Sequence, residues 1–290
     1  PAEAGYQGKP TNVNNVETFA NIPVIMNQGA DWFKQIVTEK SPGTKVFALA
    51  GKINNVGLIE VPMGTTLREV VFEIGGGINS GKAFKAVQTG GPSGGMLADH
   101  HLDTPIDFDN LVEAGSMMGS GGMIIMDEED CMVSVSKFYL DFTVEESCGK
   151  CAPCRIGNKR LNEILDRITK GQGDMNDIKR MQNLSHVVKD TSLCGLGQTA
   201  PNPILSALDN FYDEFVDHVT DKSCPAGQCK DLMKYIIKED ACVGCTICAR
   251  VCPVGAITGG KKQVHVIDHE KCIKCGACLE KCKFSAIYVE

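Results

Sequence analysis

Eight cysteines near the C-terminus repeat one spacing twice, and this repeat constrains the fold more than any other feature. In each half, three cysteines are separated by two residues and a fourth follows after three more, and the halves are 30 residues apart. The first half contains Cys242, Cys245, Cys248 and Cys252, and the second contains Cys272, Cys275, Cys278 and Cys282. Three sulfur atoms at this spacing hold three corners of a [4Fe–4S] cluster, and the fourth cysteine of each half binds the other cluster.

The spacing therefore assigns two ligand sets. We expect one cluster on Cys242, Cys245, Cys248 and Cys282, and the other on Cys252, Cys272, Cys275 and Cys278. Zinc is the alternative, but its sites usually combine two separated cysteine pairs. Disulfides suit short secreted chains, whereas this chain has 290 residues and no visible signal segment. His265, on an alternating strand before the second half, is expected at the surface.

A third triplet lies upstream at Cys148, Cys151 and Cys154, and Cys194 follows 40 residues after its last member. Three clustered thiolates and one distant thiolate suit another [4Fe–4S] cluster. Zinc on four cysteines, or on three cysteines and a histidine, is the alternative. Apolar residues recur at helical spacing around this motif, and together with 133–142 they predict a four-helix bundle. The three apolar stripes cover 161–168, 178–188 and 204–215.

Cys131, Cys224 and Cys229 remain outside these sets. His218, Cys224 and Cys229 have a spacing that suits a structural zinc clip between the helical and ferredoxin-like regions, with Cys131 as an uncertain fourth ligand. Unligated thiols in a linker are the alternative, and a [2Fe–2S] site is less favoured.

The N-terminal half carries weaker signals. Strand patterns at 46–51, 57–62 and 84–88, with a helix at 66–74, predict a β-grasp module. The asparagine-rich segment before it favours side-chain hydrogen bonding and indicates a capped helix start with Glu17 and Thr18 in the first turn.

Composition excludes two classes of function. No stretch of about 18 apolar residues predicts a membrane span. Residues 222–290 carry 11 Lys and Arg against 7 Asp and Glu, whereas the whole chain has a net charge of −7. This local positive charge suits the binding of anionic clusters, and no basic run with interleaved aromatic residues indicates nucleic acid.

These motifs carry a family resemblance. Residues 8–18, and the motif at 146–151 with Cys194, closely resemble the flavin- and NADH-binding subunit of respiratory complex I. The added two-cluster region is similar to the beta subunit of electron-bifurcating, NAD(P)-linked [FeFe] hydrogenases. The chain starts with Pro1, so we expect that an N-terminal part is missing.

The resemblance implies an electron-transfer diaphorase subunit with FMN and NAD(H) or NADP(H). Asn14, Asn15 and Thr18 match flavin-contacting positions of the family, whereas the glycine-rich flavin loop and the acidic nicotinamide-site residues would lie upstream. The implied partners, in a cytoplasmic hetero-oligomer, are a catalytic hydrogenase subunit, a small [2Fe–2S] thioredoxin-like subunit and ferredoxin. A subunit of an NAD(P)-linked formate dehydrogenase and a flavin-less electron relay are the alternatives.

The predicted fold class is α+β and multidomain. The expected parts, in chain order, are a remnant of a flavin-binding α/β domain (1–44), a β-grasp module (45–98), a return segment to the flavin domain (99–131), a four-helix bundle with one cluster (132–217), a linker with the zinc clip (218–232) and a two-cluster ferredoxin-like domain (233–290).

Overall fold

The N-terminal segment forms two helices, α1 (Val16–Gln28) and α2 (Ala30–Phe33). The computed structural model describes residues 1–36, 38 and 40–289, so Val37, Glu39 and Glu290, which belong to the first and last expected domains, lie outside it. The Asn15 side chain caps α1 by accepting hydrogen bonds from the backbone N–H groups of Glu17 (2.9 Å) and Thr18 (3.4 Å). The predicted capped helix start is confirmed.

Five strands follow and form one sheet. They are β1 (Thr44–Gly51), β2 (Gly57–Pro62), β3 (Phe84–Thr89), β4 (Met96–Ala98) and β5 (Gly122–Asp127). The strand order is β2-β1-β5-β3-β4, and only the β1–β5 pair is parallel. A π-helical segment (Glu69–Ile74) lies inside the predicted helix 66–74, and α3 (Phe108–Glu113) precedes β5.

The central strand of this sheet comes from a segment that was expected elsewhere. β5 lies within 99–131, the expected return segment to a flavin domain, yet it pairs with both β1 and β3. Met123 and Ile125 explain this position, because they are buried in the same core as Phe47, Leu49 and Val87. The sheet module therefore extends to residue 127 instead of ending at residue 98.

Six helices form the next region. They are α4 (Met132–Glu145), α5 (Asn158–Thr169), α6 (Met175–Thr191), α7 (Gly195–Thr199), α8 (Asn202–Asn210) and α9 (Tyr212–Thr220). The predicted stripe at 204–215 is divided between α8 and α9, because Phe211 leaves the helical conformation (φ −137°, ψ 36°). The other two predicted stripes lie on α5 and α6, and the predicted helix at 133–142 lies within α4.

The helical region packs directly on the sheet. One core joins Ala86 and Met96 of the sheet to residues of α4, α5, α6 and α8. The Ser206 hydroxyl of α8 accepts a hydrogen bond from the Met96 N–H (2.9 Å), and the Asn210 amide donates to the Met96 carbonyl (3.0 Å). The sheet therefore positions α8 and, through the shared core, the helical region as a whole.

The C-terminal region repeats one small unit twice. Its elements are β6 (Tyr235–Ile237), α10 (Ile247–Val251), β7 (Ile257–Thr258), β8 (Val266–Ile267), α11 (Ala277–Lys281) and β9 (Ile287–Val289). β6 pairs antiparallel with β9, and β7 pairs antiparallel with β8. The predicted combination of sheets and helices in one chain is thus confirmed. Within the described residues, no helix has the length and apolar character needed to cross a bilayer.

Candidate metal centres

Two small cysteine-lined cavities lie inside the C-terminal region. One is lined by Cys242, Cys245, Cys248 and Cys282, and the other by Cys252, Cys272, Cys275 and Cys278. The fourth cysteine of each sequence half thus lies in the cavity of the other half. The structure brings together the two groups of four that the spacing predicts, because each half wraps one cavity and then crosses to its neighbour.

The backbone already supplies hydrogen bonds to these sulfur atoms. The Ala256 N–H donates to the Cys252 sulfur (3.2 Å), and the equivalent Ala286 N–H donates to the Cys282 sulfur (3.3 Å). Such bonds stabilise thiolates, the form in which cysteine binds metal. The turn after each fourth cysteine therefore supplies a hydrogen bond that stabilises its thiolate.

The innermost cysteine of each cavity resists losing its proton without a cation. Burial, together with repulsion from the nearby Cys245 and Cys242, raises the pKa of Cys248. Burial likewise raises the pKa of Cys278, and Cys272 and Cys275 add to the shift. A cluster whose iron carries positive charge removes this penalty, since metal coordination deprotonates a thiol outright.

The donor set fits iron–sulfur clusters. All fifteen cysteines lie in the described part of the chain, and no two of them form a disulfide. Each of the two apolar cavities brings four thiols to the wall of one common space. The thiols provide the ligands of a cluster, and the backbone N–H groups provide hydrogen bonds to the sulfur atoms.

Two of the upstream cysteines, Cys151 and Cys154, lie beside the segment that leads into α7. The backbone of Leu193, and then that of Cys154, lowers the pKa of Cys151 by favouring the thiolate. Cys151 therefore lies close to the segment that carries Cys194. Cys148 and Cys194 are exposed, whereas Cys154 is buried.

Two polar side chains that the sequence analysis did not single out contact Cys154. The Asn158 amide donates to its sulfur (3.4 Å), and the Ser147 hydroxyl lies 3.3 Å from it. A π-helical turn (Pro153–Gly157) leads from this cysteine into α5. Such wide turns are frequent at functional sites.

α7 approaches this site closely because Gly197 has no side chain. A Cβ atom at Gly197 would lie 2.5 Å from the Ser192 hydroxyl oxygen and 3.0 Å from Cys154 Cβ. Both distances are shorter than normal van der Waals separations. The glycine therefore sets how near the Cys194 segment comes to the triplet.

A separate four-donor group is formed by Cys131, His218, Cys224 and Cys229. Their ligand atoms all lie within 4.8 Å of one another. The uncertain fourth member, Cys131, arrives from the end of β5 and caps α4, so no local spacing relates it to the other three. Glu214 fixes its surroundings, because its carboxylate accepts the Met132 N–H (3.1 Å) at the start of α4.

The distances match a tetrahedral mononuclear ion. The Cys131 and Cys229 sulfur atoms are 3.8 Å apart, and His218 Nε2 is 3.4 Å from each of them. Zinc–sulfur bonds of about 2.3 Å and zinc–nitrogen bonds of about 2.0 Å at tetrahedral angles place the sulfurs about 3.8 Å apart and sulfur about 3.5 Å from nitrogen. No other described group of cysteines and histidines is this tight.

Hydrogen bonds and pKa shifts within this group indicate which atoms would bind a cation. His218 Nδ1 donates to the Glu214 carbonyl (2.6 Å), which leaves Nε2 as the ligand atom. Although burial opposes it, Cys131 and Cys224 raise the pKa of His218 to about 10. Hydrogen bonds from Cys131 and Cys229 lower the pKa of Cys224, whereas contact with Cys131 and Cys224 raises the pKa of Cys229. A dication would neutralise these crowded thiols.

The three positions that the family resemblance assigns to flavin contact lie at the N-terminal surface. Asn14, Asn15 and Thr18 are all exposed. Asn15 uses its carbonyl oxygen to cap α1, so its amide nitrogen remains a donor for a ligand. The Glu17 carboxylate accepts the Val46 N–H (2.8 Å) and pairs with Lys45, which ties this segment to β1.

Two protein families match this chain, one in each of its two cysteine-rich regions. Residues 134–218 match the NADH-ubiquinone oxidoreductase-F iron-sulfur binding region, and residues 234–283 match the 4Fe-4S dicluster domain. The NADP-reducing hydrogenase subunit HndC of Solidesulfovibrio fructosivorans is 65% identical over 99% of this chain and 59% of its own length. The chain is thus similar, over nearly its whole length, to part of a subunit of an NADP-reducing hydrogenase.

Two further proteins are less similar to this chain. An NADH-quinone oxidoreductase subunit of Escherichia coli is 38% identical over 74% of this chain and 48% of its own length. An NAD+-reducing [NiFe]-hydrogenase in the H2-reduced state has a TM-score of 0.68 and 29% identity, covering 76% of this chain and 37% of the other. The chain thus spans about half to three fifths of the length of these curated relatives.

Proposed function

We propose that the chain is the electron-carrying part of an NAD(P)-linked hydrogenase subunit and holds three [4Fe–4S] clusters. The two clusters of the C-terminal region take the cysteines that line its two cavities. The cluster of the helical region takes Cys148, Cys151, Cys154 and Cys194. The observation that carries the proposal is the pair of cavities, because each is lined by four thiols from both halves of the repeat.

The residues hold the clusters and set their environment. When bound, a [4Fe–4S] cluster accepts and releases one electron at a time. The thiolates anchor it, and the N–H groups of Ala256 and Ala286 donate to the sulfur atoms of its ligands. Apolar residues close both cavities, and limiting the access of water in this way tunes the potential of a cluster.

We propose that the N-terminal segment completes a flavin site. The exposed side chains of Asn14, Asn15 and Thr18 would bind FMN together with residues of a fuller chain. FMN takes up hydride from NADH or NADPH as a pair of electrons, which one-electron carriers then accept singly. The predicted partners remain a catalytic hydrogenase subunit, a small [2Fe–2S] subunit and ferredoxin. The cytoplasmic location and electron bifurcation also remain predictions. The 65% identity to a hydrogenase subunit favours hydrogenase over formate dehydrogenase.

We propose zinc for the four-donor group, with Cys131 as the fourth ligand. A closed tetrahedral set of three cysteines and one histidine is typical of structural zinc. The His218–Glu214 hydrogen bond fixes the tautomer that coordination requires. The ion would join the start of α4, the end of α9 and the segment that leads to the C-terminal region.

Metal and sulfide analysis of anaerobically purified protein tests the proposal. We expect about twelve iron and twelve sulfide ions per chain from three clusters, with about one zinc ion. Cys194→Ser should remove the EPR signal of one cluster and leave the other two. An iron content near eight would exclude the helical cluster, and colourless protein that contains only zinc would overturn the proposal.

A further inference from the structure

The two cluster cavities are near copies of each other, so their differences are informative. Residues that line one cavity correspond, 30 positions apart, to residues that line the other. Ile237 corresponds to Ile267, and Ala286 corresponds to Ala256. Most differences exchange one apolar side chain for another. A polar difference stands out, because His265 in the first cavity corresponds to Tyr235 in the second.

The sequence analysis placed His265 at the surface, and this prediction is wrong. The residue is buried, with 1% of its area exposed. Its position just before β8 places the ring against Gly259, where an added Cβ would lie 2.7 Å from the imidazole. Gly259 adopts φ +151°, so a side chain there would also strain the backbone. The ring is therefore held at the wall of the first cavity.

The imidazole has little else to bind. Its Nδ1 lies 3.9 Å from the Cys242 sulfur, and its Nε2 is buried without a hydrogen-bond partner among the described residues. A buried N–H group left unpaired costs about 1–3 kcal/mol. The N–H of this ring can therefore be satisfied only by sulfur at the first cluster site.

Tyr235 presents a hydroxyl group, and not an imidazole, at the second cavity. Its hydroxyl lies close to Gly276, where an added Cβ would be 3.1 Å from the oxygen. In the part of the chain that the structure describes, it forms no hydrogen bond to a cysteine. The two cavities thus differ by one N–H donor near sulfur.

We propose that His265 donates a hydrogen bond to the sulfur atoms of the first cluster and gives this cluster a higher reduction potential than the second. The inference rests on the proposed clusters. A donor near sulfur stabilises the more negative, reduced state, and hydrogen bonds to sulfur are among the factors that set cluster potentials. A single electron on the pair would then reside mainly on the cluster held by Cys242, and an electron arriving at the second cluster would move to the first.

EPR-monitored redox titration of the full chain at one fixed pH tests this role. His265→Phe keeps an aromatic ring but removes the donor, and we expect the reduction equilibrium of one cluster to become about tenfold less favourable, about 59 mV for one electron. His265→Gln, which restores an N–H, should recover part of this shift. Tyr235→Phe is the matched control and should shift neither cluster to a comparable extent.

A gain of function separates the role of the donor from loss of structure. Tyr235→His introduces a donor at the second cavity and should raise the potential of the second cluster. Unchanged potentials in His265→Phe at full iron content overturn the proposal. If His265→Phe loses iron, Tyr235→His decides, and an unshifted second cluster overturns it. Iron missing from the unaltered protein would instead contradict the proposed function.

Discussion

At the scale of single residues, Asp127 shows how a buried charge is held at the end of a central strand. Its carboxylate accepts hydrogen bonds from Lys52 (2.6 Å), the Ser80 hydroxyl (2.7 Å) and the Glu129 N–H (2.9 Å). Although burial opposes it, Lys52 and then Ser80 lower the pKa of Asp127. The ionised form is therefore the one that the fold stabilises.

Asp127→Asn should reduce the unfolding free energy at neutral pH by about 1–3 kcal/mol, because Lys52 loses the nearer of its two charged partners and keeps only Asp130 at 3.4 Å. The lowered folded pKa means that this stabilisation is present above the ordinary pKa and is lost as pH falls through the folded value. Denaturation of both proteins from pH 7 into the acid range measures the difference. Glu129→Gln, which breaks the exposed pair with Lys82 (3.0 Å), is the control and should have little effect.

Cys131 caps the start of α4 and is also a proposed zinc ligand, and one substitution can separate these two roles. Cys131→Ser should keep a good N-cap for α4 but reduce the zinc content from about one ion per chain to near zero. Iron should be unchanged, since no other proposed ligand is altered. Elemental analysis measures both metals, and Ser134→Ala on the same helical turn is the control. Retained zinc would exclude Cys131 as a ligand.

At the scale of elements, the close approach of α7 to the cysteine triplet depends on one position. Gly197→Ala should displace α7, destabilise this region by about 1–3 kcal/mol and reduce the iron content by about four per chain. Gly195→Ala is a matched control on the same short helix, because an added Cβ there meets nothing within 4 Å. Equal iron contents in the two variants would show that the approach of α7 is not required.

The helices and strands differ in how well sequence patterns predict them. Regular spacing is a property of neighbouring residues in the sequence. The cysteine groups of the C-terminal region and the apolar patterns of α4, α5 and α6 could therefore be predicted from spacing alone. β5 was assigned elsewhere, because only its partners β1 and β3 reveal that it lies in the middle of the sheet.

Single side chains were harder to predict than repeats. Cys131 joins residues 87 and 98 positions away, and no local pattern encodes such a contact. His265 was expected at the surface because an alternating strand does not say which face is covered. The 30-residue correspondence with Tyr235 was the available signal for its position.

At the scale of the whole molecule, the proposed zinc ion is a cross-link between distant segments. It would close a loop of 98 residues between Cys131 and Cys229, and closing a loop of about 100 residues contributes up to about 4–5 kcal/mol in the chain-entropy model. The site also lies where the chain leaves the helical region for the C-terminal clusters.

Removal of zinc by a chelator should therefore lower the thermal midpoint of the helical region and expose residues 221–233 to proteases. The iron content should stay constant during this treatment. Calorimetry and limited proteolysis followed by mass spectrometry measure the two effects, and re-addition of zinc should reverse them. Unchanged proteolysis after complete zinc removal would contradict a structural role.

The position of Cys229 also sets an order of events during synthesis. Cys131, His218 and Cys224 leave the ribosome first, and the four-donor group can close only when Cys229 has emerged. The paired cysteine motifs, which start at Cys242, emerge later still. The four-donor group can thus take up its mononuclear ion before the thiols of the two C-terminal clusters are available, so zinc need not compete with iron at those eight cysteines.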